Sequence, residues 1–293
     1  MEIKRQLMVH NMLPEGSDAL TINSGTTHHS KQKTATVNYK GVKFTPEFIP
    51  QAYVNKKDWR QLTAKELACL APNEDRNDFN TIYLGEIPEA LQACFETLHL
   101  VESTNRDEVF DRLEKDPPAI QKATELLNEF LLPKSNSKKF NFHCIGVNHP
   151  NLELVASNTT MLAVGHKESV RKLLGLHNDG TQLMTIKTAH EFGNRISINL
   201  GKDPRYFLFV NLHLMEAYKM LQERMSADEF MAVNITNIPA YFFSHFPDYP
   251  VLKVQQKQYQ YYIAATDNCF HDGSTLGNKN LDITMVYFGS FQY

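Results

Sequence analysis

Only four cysteines, Cys69, Cys94, Cys144 and Cys269, occur in 293 residues, and no two form a Cys-x-x-Cys pair. That spacing argues against ribbon-type zinc chemistry and offers no disulfide framework. Long apolar runs are missing as well. No stretch approaches the roughly 20 residues needed to span a bilayer, and the start MEIKRQLMVHNMLPEG lacks the apolar centre of a secretory leader. Nor does one sign of charge dominate. The net charge of -3 gives no field to draw in nucleic acid or acidic lipid. The pairs Lys56-Lys57 and Lys138-Lys139 read as solvated loop charges. A cytoplasmic protein with neither nucleic acid nor a membrane as partner is expected. There is no Gly-x-Ser-x-Gly elbow, no Gly-x-Gly-x-x-Gly and no P-loop, which argues against acyl-enzyme and nucleotide chemistry.

What is present is an ordinary globular balance, 42% hydrophobic and 22% charged. Residues 14–40 are polar and read as a strand-poor segment whose composition suits a lid. Helices follow. Thr63 with Glu66 forms a capping-box pattern, and Pro88 opens a segment with Leu91, Cys94, Phe95 and Leu98 at helical spacing. A third helix spans Asp107 to Leu113, and Pro117-Pro118 ends it and starts a fourth that runs to Pro133.

After residue 135 the texture changes. KFNFHCIGV, LELVASNTTMLAV, TQLMTIKTA, RISINLG, RYFLFVNL, VLKVQQKQYQYYIAA and LDITMVYF read as strands, interrupted by the helical stretches HLMEAYKMLQERM and ADEFMAVNIT. Segregated helices and strands predict an α+β fold, and many short strands predict a jelly roll. The expected organisation is one composite domain, 1–293. Its mainly helical part, 1–134, would support a core at 135–293.

The chemistry is carried by GLHNDGT. His177 and Asp179 stand two positions apart, which in extended backbone turns both side chains to one side. A third ligand must come from elsewhere, and His271, at the end of a strand-like run, is the best placed. Two histidines and one carboxylate on one face of an ion make the facial triad of non-haem iron(II) oxygenases. His143, His149 and His190 read as core or edge histidines, and His166 and His213 have no carboxylate at a telling spacing. His28-His29 sits in a polar loop.

The run from His271 through Gly277 and Lys279 to the strand LDITMVYF resembles the C-terminal signature of iron(II)/2-oxoglutarate-dependent oxygenases. Within that superfamily, TDNCFHDGST followed by LDITM is most similar to the group acting on free amino acids, lysine halogenases and related hydroxylases. The resemblance covers about the C-terminal half. It implies a double-stranded β-helix core, iron(II) on His177, Asp179 and His271, and 2-oxoglutarate as co-substrate. It also implies a basic residue for the far carboxylate of 2-oxoglutarate, matched by Lys279, with Arg195 and Arg205 as alternatives and Thr284 adding a hydroxyl. Arginine would give that carboxylate a better-fitting fork than lysine. Halogenases of this kind lack the acidic ligand. Because Asp179 is kept, dioxygen-dependent hydroxylation of an aliphatic carbon in a small molecule is expected, with a free amino acid as one substrate class. Asn268 and Asp272, flanking the distal histidine, are candidates to orient the ligands. Two other readings stay open: a β-sandwich binding protein without metal, and a metal-dependent hydrolase or isomerase on a similar barrel.

Overall fold

The computed structural model describes residues 2–14, 16–72, 80–157, 171–180 and 183–292. These residues form a mixed α+β protein whose two principal sheets lie face to face, with helices over the outer face of each. The six-stranded sheet runs in the order Met8–Asn11, Thr81–Glu86, Gln260–Ala264, Asn194–Asn199, Asp282–Gly289 and Asn141–Asn148. Its first pair is parallel and the others are antiparallel. The five-stranded sheet runs His271–Ser274, Arg205–Phe209, Leu252–Gln256, Leu20–Ile22 and Arg60–Gln61, antiparallel throughout.

Period-two alternation sorts the side chains of these strands into three apolar clusters. On the large sheet, Ile196, Ile198, Ile263, Ile283 and Met285 pack against Leu91, Phe95, Leu127 and Leu131 of helices Glu89–Glu96 and Pro117–Lys134. Behind the smaller sheet, Leu208 and Val210 pack against helices Leu214–Arg224 and Ile238–His245. Between the sheets, Phe207, Phe209, Leu252 and Val254 meet Leu84, Tyr262 and Ala264. Phe207 stacks on Tyr262 with ring centroids 3.9 Å apart. Each such side chain contributes about 1.5–3 kcal/mol on burial, so packing rather than local propensity decides which faces turn inward. Arg195, Ser197, Arg205 and Thr284 occupy the opposite faces to the helix-covered residues and give the intersheet space a polar part.

The helix starts follow the sequence closely. Thr63 and Glu66 form the reciprocal capping box of helix Ala64–Leu70. Asp116 accepts from the Ala119 N–H to cap Pro117–Lys134, with proline in the first turn where no amide donor is needed.

Four expectations differ. Residues 1–134 are not helix alone: among the described residues nine short strands lie between Met8 and Glu86, three of them within 14–40. They are two to six residues long and polar on one side, so they carry little periodic signal, and they form by adding to sheet edges or pairing as small hairpins. The segment after Gln182 is not a strand. Met184, Ile186 and Ala189 are buried at alternate or near-alternate positions, but Thr185 and Thr188 bond each other's backbone N–H groups and fold the chain into a turn. In LELVASNTTMLAV, residues 158–164 lie outside the described residues, as does His166. The residues before them, from Leu152 to Ala156, form no strand, and Ser157 makes an isolated bridge to Leu173. Helix Ile238–His245, rich in aromatic residues and opened by Pro239, was not expected.

Candidate metal centre

The backbone at His177 is joined to the edge strand His271–Ser274 by an isolated antiparallel bridge. Both bonds of the bridge form, His177 N–H to His271 O at 3.1 Å and His271 N–H to His177 O at 2.7 Å. Gly175 delivers the chain to this bridge with φ +78, where a Cβ would lie 2.6 Å from the Tyr53 carbonyl oxygen. The two imidazoles therefore stand side by side, with ring centroids 4.6 Å apart. Asp179, two residues on, is fixed by its own N–H bond to the Thr266 carbonyl at 3.1 Å.

The donor atoms converge. Nε2 of His177 is 3.6 Å from Oδ1 of Asp179, and Nε2 of His271 is 3.5 Å from Oδ2. Neighbouring octahedral ligands at about 2.1 Å from one ion lie about 3 Å apart, so a small inward shift of each group would bring all three donors onto one face of an ion. Behind the rings, Nδ1 of His177 is 3.0 Å from the Gly175 carbonyl and Nδ1 of His271 is 3.3 Å from that of Cys269. A carbonyl only accepts, so both Nδ1 atoms carry hydrogen and Nε2 is the atom each ring turns to the ion site; a metal there would displace the proton that Asp179 favours on Nε2 of His177. The donor set therefore fits iron(II). His177, Asp179 and His271 form the metal-competent cluster found among the described residues.

Charge is balanced inside the cluster. Burial acts to raise the Asp179 carboxyl, but His271, His177 and Arg195 outweigh it and hold it well below the usual carboxylate range. Burial pushes His271 down to about 4. For His177 burial also lowers the value, but its contact with Asp179 and the charge of Asp272 carry it up to about 9.

The basic candidates separate into three environments. Arg195 lies against the metal carboxylate. Its Nη1 is 2.6 Å from Oγ1 of Thr266, 2.9 Å from Oδ1 of Asp267 and 3.4 Å from Oδ2 of Asp179. Arg205 is buried between the sheets on the same strand face as Phe207, and Asp282 is its nearest carboxylate, Nε to Oδ1 3.7 Å. Neither of these two atoms has a hydrogen bond, nor has Oε1 of Gln256, which pairs with Arg205 in register. Thr284 is buried on strand Asp282–Gly289, with Oγ1 3.5 Å from the Gly146 carbonyl. Lys279 does not join them. It is exposed in the turn after Gly277, and its backbone N–H donates to Asp203 at 2.6 Å. The turn, gripped by Asp203 at Lys279 and Asn280, carries the lysine away from the intersheet space.

In front of the cluster opens a cleft of about 910 Å³. His143 and Arg195 line one side. Leu176, Ile235, Pro239 and Phe243 give it an apolar wall. His143 was read as an edge histidine; it stands on edge strand Asn141–Asn148, and no spacing in the sequence marks it as facing the cleft.

No protein-family model matches the chain, and comparison with curated proteins and with solved structures gives no match.

Proposed function

We propose that the chain is an iron(II)- and 2-oxoglutarate-dependent oxygenase that hydroxylates an aliphatic carbon of a small molecule, on a double-stranded β-helix core. The observation that carries this reading is the convergence of two Nε2 atoms and one carboxylate, each held from behind, at the head of a large cleft. Strand order supports the core. From Asn141 onward the chain passes back and forth between the sheets, except that Arg205–Phe209 and Leu252–Gln256 follow one another in the smaller one. The order Gln260–Ala264, Asn194–Asn199, Asp282–Gly289, Asn141–Asn148 faces the His177 bridge, His271–Ser274, Arg205–Phe209, Leu252–Gln256.

Iron(II) held here, with 2-oxoglutarate and dioxygen, supplies the oxidising chemistry of hydroxylation. The protein's part is binding and placement. His177 and His271 give neutral nitrogen donors, and Asp179 gives the anionic one. Arg195 holds Asp179 by the oxygen that faces His271. Arg205, a buried guanidinium paired with Asp282 at 3.7 Å but making no hydrogen bond to a described residue, is the cation for the far carboxylate of 2-oxoglutarate; buried N–H donors left without an acceptor are costly until one joins them. Thr284 and Gln256 offer further polar contacts. Leu176, Ile235 and Phe243 keep the wall beside the metal dry. A free amino acid remains the first substrate class to screen.

Anaerobic titration of iron(II) and 2-oxoglutarate into the metal-free protein tests the reading. A weak visible charge-transfer band that needs both additions, and is lost in His177→Ala and His271→Ala, is the expected result. Iron binding without any effect of 2-oxoglutarate would instead favour a metal-dependent hydrolase or isomerase. No iron binding would favour the binding-protein reading.

A further inference from the structure

Asp272 follows His271 in sequence but stands behind the other histidine. Strand alternation turns adjacent side chains to opposite faces, and Asp272 sits opposite Leu208 in register, 1% exposed. Its Oδ1 accepts three backbone N–H groups, from Val155 at 3.2 Å, Ala156 at 3.0 Å and Gly273 at 2.6 Å. Its Oδ2 has no hydrogen-bond partner and lies 3.8 Å from Nδ1 of His177. A carboxylate used only to pin backbone would share three donors between its oxygens. Here one oxygen takes all three, and the other is left beside the imidazole. Nδ1 of each ring has a backbone carbonyl behind it, Gly175 at 3.0 Å for His177 and Cys269 at 3.3 Å for His271, and among the described residues only His177 has a carboxylate within 4.0 Å of Nδ1 as well.

We propose that Asp272 is a positioning residue for the metal centre: through Oδ2 it holds the His177 ring with Nε2 toward the ion and makes His177 the stronger donor of the two. The proposal rests on the metal-site reading above. A carboxylate behind the Nδ1–H of a ligating histidine fixes tautomer and ring orientation and raises ligand basicity. The triple grip on Oδ1 stops the carboxylate from turning away. That grip comes from Val155 and Ala156, and the next residue, Ser157, bridges to Leu173 shortly before the ligand loop. The segment that grips the carboxylate on strand His271–Ser274 thus also bridges to the backbone just before the ligand loop.

Cobalt(II) alone, titrated into the full chain and followed by its visible d–d bands, tests this. Asp272→Asn keeps an oxygen for the three N–H groups but turns an amide donor toward Nδ1–H. About 10–100-fold weaker cobalt binding is expected, with a shifted d–d band and an unchanged melting temperature of the metal-free protein. Wild-type affinity and spectrum in Asp272→Asn would overturn the proposal and leave the metal site standing. Weaker binding with an unshifted band and a lowered melting temperature would overturn it in favour of a backbone anchor. No cobalt binding by the wild-type protein would overturn both the proposal and the site. A second measurement needs no variant. In zinc-loaded wild-type protein labelled with ¹⁵N-histidine, the Nδ1 proton of His177 should resonate downfield of that of His271. Coincident resonances would overturn the proposal.

Discussion

The Arg205 guanidinium lies across the face of Gly273, where a Cβ would come within 2.2 Å of Nη2. The two residues occupy neighbouring strands, Arg205 lying two residues before Phe207, the direct register partner of Gly273. Glycine here is a matter of space, because its φ is not in the left-handed region. Gly273→Ala should therefore push Arg205 off its position while leaving the metal ligands in place. Steady-state assays should show a requirement for 2-oxoglutarate raised about tenfold, the equivalent of about 1.4 kcal/mol, with iron affinity changed less than about twofold. Loss of iron binding in this variant would show that the strand itself had moved.

Removing the guanidinium should have the larger effect. Arg205→Gln should raise the 2-oxoglutarate requirement at least about 100-fold, since a charge-assisted bidentate contact is replaced by a neutral one. Lys279→Ala should be silent, within about twofold, because the lysine is exposed and its turn is held through backbone N–H groups. The opposite ranking of the two variants would return the anchor to Lys279.

These two cases show how far the sequence could be read. The three converging side chains were legible because the rules involved are local: His177 and Asp179 share a side at i and i+2, and His271 follows a strand-like run, although it opens strand His271–Ser274 rather than ending the one before it. The anchor was not. Lys279 has the right type and the right neighbourhood, but Gly277 (φ +88) and the Asp203 carboxylate turn its loop outward. Arg205 reaches the interior only because strand Arg205–Phe209 pairs with His271–Ser274, a relation between residues far apart in the chain. The short N-terminal strands escaped for the same reason: they exist through their partners rather than through their own periodicity.

Arg195 serves the buried carboxylate of Asp267 and the half-buried one of Asp179, and stacks 5.2 Å over the Phe288 ring. Arg195→Met keeps the bulk and removes the charge. Breaking a buried pair by deleting one partner costs about 3–5 kcal/mol, and urea unfolding should show a loss of that order. A change below about 1 kcal/mol would mean that Asp267 finds another partner. The variant should also bind iron less tightly, because Asp179 loses the contact that aims its carboxylate.

Acid stability has a separate source at the start of the first α-helix. The Arg60 guanidinium, together with the Thr63 contacts, holds Glu66 down to about 2. A folded value below the unfolded one stabilises the protein at pH above about 4.5, and this contribution fades as pH falls from there toward about 2. Arg60 is half exposed, so solvent screening limits the contribution to about 1 kcal/mol. Glu66→Gln should lower the melting temperature at pH 7 and flatten its decline between pH 5 and pH 2, in the ranges set by those two values. An unchanged slope would place the acid sensitivity elsewhere.

The strands before residue 90 also bear on what can be cut away. Thr81–Glu86 covers the free side of Gln260–Ala264, and Leu20–Ile22 covers the free side of Leu252–Gln256. Those two core strands follow one another across a short turn, so a fragment beginning near residue 135 would uncover both edges at once. Each edge would present a row of unpaired amides and carbonyls beside apolar side chains, a template for other chains to join. The C-terminal half and its N-terminal partner thus form one unit of solubility, and truncation to the half that holds His177, Asp179 and His271 should yield aggregate rather than a minimal folded protein.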